Sequence, residues 1–284
     1  MKLIFCGVRG TSAEIQPEYS RFGGDTTCLL VEGTNQEKII IDAGTGIRNA
    51  SRRLSKIKGH KSHLLLLFTH YHLDHIMGLP SCSFLYDKKW RFEIAAPVRG
   101  RFAVEDIVSR ILEKPFWPLQ VGTMPAKIRF INLPPNNAAG PFKFGRIEVR
   151  WCPLHHSEGC TAYRFDEPAT GASFVFATDV EWAQSTMKEK AQFLRLCAEP
   201  SPAQVLIFDG QFNRRNYPEH KGWGHSTVEE AVAIARHIGV RRLYVTHHAP
   251  GIDDLQLQKT ETRLIKQMPA ACLAREGLEV TVQA

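Results

Sequence analysis

Apolar residues in this chain fall into short runs bounded by turn formers. KLIFCGV (2–8), TTCLLVE (26–32), KIIIDA (38–43), HLLLLFT (63–69), FEIAA (92–96) and KIRFI (127–131) occupy the first half, and IEVRWCPL (147–154), TAYRF (161–165), SFVFATD (173–179), QVLIFD (204–209), RLYVT (242–246) and LEVTV (278–282) the second. Their length and turn-rich borders predict strands. Val228, Ala231, Val232, Ala235 and Ile238 share one face at helical period, and weaker helical patterns cover 45–57, 103–113, 186–198 and 254–267. Ser226 and Glu229 have the spacing of a capping box at the start of the clearest helix. Hairpin-like neighbours early and strand–helix alternation later predict a layered α/β protein with two sheets. The segment 114–146, with Pro115, Pro118, Pro125, Pro134, Pro135, Pro141 and Asn136-Asn137, reads as a loop-rich excursion over the active face, inside a single domain spanning 1–284.

The 284 residues are 43% hydrophobic, enough for a full core. The longest apolar run, Leu64 to Phe68, is far too short to cross a membrane, and the N-terminus lacks the pattern of a secretory signal. Seven scattered cysteines, none in C-x-x-C spacing, argue against a disulfide frame and for reduced thiols in a cytoplasmic protein. A formal charge of +7 favours anionic partners. Arg52, Arg53, Lys56, Lys58 and Lys61 read as a solvated helix face, and His60, His63, His220 and His237 as surface or structural residues.

The run LLLLFT leads directly into FTHYHLDHIMG, which places His70, His72, Asp74 and His75 within six positions. Imidazole and carboxylate are the donors that zinc and similar ions prefer, and four in one short loop exceed what a single ion takes. Two metal ions are the inference. Further donors are expected where other apolar runs close: His155 or His156, Asp179, and His247. Two ions can share a carboxylate, for which Asp179 is the candidate, and hold a hydroxide that is ionised near neutral pH.

H-x-H-x-D-H followed by separated His, Asp and His resembles the metallo-β-lactamase superfamily, and IIIDAGTG (39–46) resembles its early strand and aspartate turn. The resemblance implies a four-layer αββα sandwich, with His70, His72 and His156 at one metal, Asp74, His75 and His247 at the other, and Asp179 between them. His156 is preferred to His155 because its spacing to AYRF resembles the His-to-GYR spacing of phosphodiesterase members, and neighbours in extended chain point to opposite faces. The same alternation demotes His248.

GHSTVEEAVAIARHIGVRRLYVTHHAP (224–250) resembles a block of ribonuclease Z and its phosphodiesterase relatives. That implies His225 as an acid at the phosphate, oriented by Asp209 where the family has Glu; Asp74 also counts among the catalytic residues. Ser226, Trp223 and Arg214 are the candidate substrate contacts. No long tRNA-gripping arm is visible, so the expected activity is hydrolysis of a small or cyclic phosphodiester by attack of a metal-bridging hydroxide, with RNA or DNA end processing as the alternative. Two divalent ions are implied, zinc first and manganese or iron as alternatives, together with a homodimer and no membrane association.

Overall fold

All twelve predicted strands form, joined by two short ones. The computed structural model describes residues 1–56, 62–98, 100–137 and 140–284; Lys58, His60 and Lys61 lie outside the described residues. In chain order the elements are β1 (Lys2–Gly7), β2 (Cys28–Glu32), β3 (Lys38–Ile41), α1 (Ile47–Ser55), β4 (His63–Leu67), α2 (Leu73–Ile76), β5 (Arg91–Pro97), α3 (Val104–Ile111), β6 (Lys127–Leu133) and β7 (Phe142–Phe144). They continue with β8 (Ile147–Leu154), β9 (Cys160–Glu167), β10 (Ala172–Ala177), α4 (Met187–Ala198), β11 (Val205–Asp209), α5 (Val228–Ile238), β12 (Arg242–Thr246), α6 (Asp254–Gln267), β13 (Ala271–Leu273) and β14 (Glu279–Thr281).

Two seven-stranded mixed sheets result, ordered β14-β1-β2-β3-β4-β5-β6 and β13-β12-β11-β10-β9-β8-β7. Their inner faces meet in one apolar layer that includes Leu3, Phe5, Leu65, Leu67, Phe165, Phe174 and Ile207. Leu64, Leu66 and Phe68 point the other way, under α1 and α3, while α4, α5 and α6 cover the second sheet. A strand buried on both faces has no polar side to show, which is why HLLLLF runs uninterrupted. The layers are therefore the αββα sandwich that the sequence resemblance implies.

Topology fixes where the polar residues go. β3 to β6 pair in parallel in one sheet, as do β10 to β13 in the other, so the C-terminal ends of each set share one edge. Register sharpens this: Ile41 pairs Leu67, Ala177 pairs Phe208, and Asp209 pairs Thr246. Asp42, the His70 loop, Asp179, Asp209 and His247 consequently emerge together.

One expectation needs correction. The cap of α5 is Thr227, whose hydroxyl accepts from Glu230 N–H while Glu230 reaches back, one residue beyond the expected Ser226–Glu229 pair. Both pairs satisfy the S/T-x-x-E spacing, but Ser226 Oγ donates to Val180 O and accepts from Trp182 N–H at 3.1 Å, so it is committed elsewhere. The segment 114–146 contains β6 and β7, the outer strands of the two sheets: Pro115, Pro118 and Pro125 precede β6, Pro134, Pro135 and Pro141 lie between the two strands, and Trp117, Val121 and Met124 pack against the outer face of the first sheet.

Candidate metal centre

The loop after β4 turns sharply enough to deliver four polar side chains from six residues because α2 begins at once. His70 lies between β4 and α2, His72 leaves extended backbone at the cap of α2, and Asp74 and His75 sit in its single turn. Asp42 organises this loop: its carboxylate accepts from Thr69 N–H at 2.7 Å, from the Thr69 hydroxyl at 2.7 Å and from His75 Nδ1 at 2.8 Å. The last contact leaves His75 Nε2 to face the other donors.

The other sheet supplies the remainder. His70, His72, His156 and Asp179 bring one donor atom each to within 4.8 Å of one another, as do Asp74, His75, Asp179 and His247. Asp179 belongs to both groups: its Oδ2 is 3.6 Å from His70 Nε2, 3.8 Å from His156 Nε2 and 3.3 Å from His247 Nε2, and its Oδ1 is 3.3 Å from His75 Nε2. Asp42, Asp179 and His247 all hold positive φ (62°, 54° and 65°), conformations that non-glycine residues adopt only where the surroundings enforce them. His155, by contrast, turns outward to Glu189, 3.5 Å away, and His248 is bound to Ala274 O.

The electrostatics suit cations. Burial opposes ionisation of Asp179, yet His247, His75 and His70 hold it well below the usual carboxylate range; burial likewise opposes Asp74, which His75 and His247 lower. Burial lowers His70 well below its ordinary value and takes His156 down to about 4, so both favour the neutral, ligating form. His70 Nε2 is buried without a hydrogen-bond partner, a costly arrangement unless something else occupies that lone pair. This orphan and the mixed N/O donor set both fit a borderline divalent ion.

Beside the two groups lies His225, its ring centroid 4.8 Å from that of His247 and 5.2 Å from that of His156. His225 Nδ1 meets Asp209 Oδ2 at 2.8 Å. Burial works against the imidazolium, but the charge and hydrogen bond of Asp209, helped by Asp179 and Asp74, raise His225 to about 9. Asp209, His225 and His247 also form a compact trio, yet His247 Nε2 already faces Asp74 and Asp179 at 3.3 Å each. Asp209 is itself fixed by N–H donors from Asp179, Gln211 and Ser226.

Of the expected substrate contacts, Trp223 is 61% exposed next to Gly224, and Arg214 is exposed with its backbone N–H on Glu229. Ser226 is fully buried with its hydroxyl engaged, so it is withdrawn as a substrate contact. Several supporting residues carried no signal of their own in the sequence. Gln211 Oε1 accepts from His247 Nδ1 at 2.8 Å, Thr11 N–H donates to Asp74 at 2.7 Å, and Gly10 sits where any Cβ would collide with the His247 ring. Only Asp42 could have been found, since it closes the apolar run IIID within the aspartate turn.

A four-layer αββα sandwich with a His/Asp cluster along the shared C-terminal edges of its parallel strands defines a metal-dependent hydrolase of the metallo-β-lactamase fold. The Beta-lactamase superfamily domain model matches residues 37–248, and the chain belongs to that family. Ribonuclease Z of Clostridium tetani is 30% identical over 256 residues, covering 76% of this chain and 81% of that protein. Among solved structures, the short form of human tRNase Z superposes with a TM-score of 0.70 at 18% identity, covering all of both chains. A diphosphatase of the PhnP family gives 0.69 at 18% identity over 100% of this chain and 98% of the other. Among the described residues, no helix is long and apolar enough to cross a membrane.

Proposed function

We propose that this chain is a dinuclear hydrolase of phosphodiester bonds in small or cyclic nucleotide-type substrates. The observation that carries it is the placement of a buried His–Asp pair, His225 and Asp209, against two donor groups that share Asp179. In this reading His70, His72 and His156 hold one ion, Asp74, His75 and His247 the other, and Asp179 both. Ions bound there, zinc first and manganese or iron as alternatives, supply Lewis-acid polarisation and acidify water.

The protein's own groups account for the rest. Asp209 accepts a hydrogen bond from His225 Nδ1–H and stabilises the charged form of His225, so that Nε2 carries the proton that an alkoxide leaving group requires. The positive imidazolium also offsets charge gathering on phosphoryl oxygens. Trp223 and Arg214 are the proposed contacts to a base and a phosphate. Turnover of bis(p-nitrophenyl) phosphate, abolished by chelator and restored by zinc or manganese, is the expected result; a metal-loaded protein without it would overturn the proposal.

The likeness to Clostridium tetani Ribonuclease Z favours a second reading, trimming of RNA ends. Cleavage of a precursor tRNA with steep loss of binding as salt rises, and no turnover of cyclic nucleotides, would select it. The homodimer expectation is tested by light scattering against the 32.1 kDa chain mass.

A further inference from the structure

Besides Asp42 and Asp209, a third buried carboxylate near the site belongs to neither donor group. Glu181, two residues beyond Asp179, is 1% exposed, and among the described residues no lysine or arginine pairs with it. Its Oε1 accepts from the Tyr217 hydroxyl and from Gly222 N–H, each at 2.7 Å, and its Oε2 accepts from Gly224 N–H at 2.8 Å. Its backbone is anchored as well, by its N–H to His155 O at 2.9 Å and by its carbonyl to Ser185. Gly224 closes the circuit, because its carbonyl lies 2.9 Å from His156 Nδ1.

We propose that Glu181 is a positioning residue that grips the Gly222–Gly224 turn and, through the Gly224 carbonyl, fixes the tautomer of His156. A neutral imidazole has one N–H; directing it to Gly224 leaves the Nε2 lone pair toward His72 and Asp179, where a metal ligand needs it. The turn would not hold that carbonyl in place unaided. Gly222 and Gly224 have φ of 89° and 88°, and a glycine in such a turn loses more conformational freedom on ordering than any other residue. Glu181 takes one N–H from each. Nor can Gly224 be replaced, since a Cβ there would strike the His156 ring. Held at both ends, the turn leaves Trp223 projecting at the rim.

This inference rests on His156 being a metal ligand, and its test reads metal rather than turnover. Metal-loaded wild type, Glu181→Gln and Tyr217→Phe are dialysed against graded chelator, and ions per chain are counted by mass spectrometry alongside thermal unfolding. In Glu181→Gln the new amide N–H faces a backbone N–H. One of the two ions should then leave at chelator activity roughly 10–100-fold lower than in wild type, the second staying put. Tyr217→Phe keeps both backbone donors, should shift the same ion by a smaller factor, and decides the matter if the first variant does not fold. On a His156→Ala background the Glu181→Gln effect should vanish. Release matching wild type, or loss of both ions at one chelator activity from a variant that stays folded, overturns the proposal. A wild type that cleaves no phosphodiester while Glu181→Gln still sheds one ion early would sink the functional reading alone.

Discussion

At the scale of single residues, the site separates groups that bind charge from groups that move protons. His225 is raised by Asp209 and His156 is lowered by burial, although their rings lie 5.2 Å apart. The difference is one carboxylate. Asp209→Asn keeps the shape and removes the charge, so His225 should lose its proton at a lower pH. Phosphodiester turnover is then expected to fall about 10²–10³-fold at pH 8 with metal content unchanged. A drop in bound metal equal to the drop in rate would show that Asp209 acts as a ligand instead. His225→Ala should resemble it, and the double variant should lose little more, because the two act as a unit. The seven proposed ligands were legible because four crowd into the short loop that follows one apolar run and three stand where other apolar runs close. Glu181, Gln211 and Thr11 were not, since a hydrogen bond across the fold leaves no periodicity in the chain. Ser226 misled for a related reason: its spacing suited a cap and its position suited an anion, while its actual partners, Val180 and Trp182, lie more than forty residues away.

At the scale of elements, the long strands were evident from buried runs, and the two that were missed, β7 and β13, are three residues each at the sheet edges. A run so short shows no alternation to count. Helix α5 gives a test of the corrected cap. Thr227→Ala removes the acceptor for Glu230 N–H and should destabilise the protein by about 1 kcal/mol, whereas a Glu229→Ala change, away from the cap, should cost less. Denaturant midpoints for the two variants compare them directly; equal losses would return the cap to Ser226. The segment after β13 carries a pH-dependent term. Burial, then the nearby charge of Asp25, raises Glu276 to about 7, against partial relief from backbone N–H donors and Arg9. The folded state therefore favours the protonated acid, so this contribution is complete below about pH 4.5 and is lost as pH rises through 7. Glu276→Gln should match wild type near pH 5 and exceed it at pH 8.5 by on the order of 2 kcal/mol. Parallel melting curves for the two proteins across that range would refute the assignment.

At the scale of the whole molecule, each donor group spans both sheets. His70 and His72 from the first sheet meet His156 and Asp179 from the second, and Asp74 and His75 meet Asp179 and His247. Among these two acids and five imidazoles, His70 Nε2 is buried without a hydrogen-bond partner, and Asp179, Asp74 and Asp42 raise His75 well above its ordinary value despite its burial. Ions bound in these positions would act as cross-links between sheets, and because the unfolded chain has no such constellation, their binding free energy would add to folding stability. At a free metal concentration a hundredfold above Kd the gain is about 2.7 kcal/mol per ion, which for a chain of this size corresponds to a rise in Tm of about 4–5 °C per ion. Chelation should therefore lower Tm by at least that amount, and readdition of zinc should restore it. His70→Ala should show a higher Tm than wild type in chelator, or at worst a small loss, since it removes an unsatisfied polar atom. It should regain less on zinc addition, because only the Asp74, His75 and His247 group remains whole. A Tm indifferent to metal in wild type would mean that the sheets are held by the apolar layer alone and that the donor groups are not an ion-binding centre.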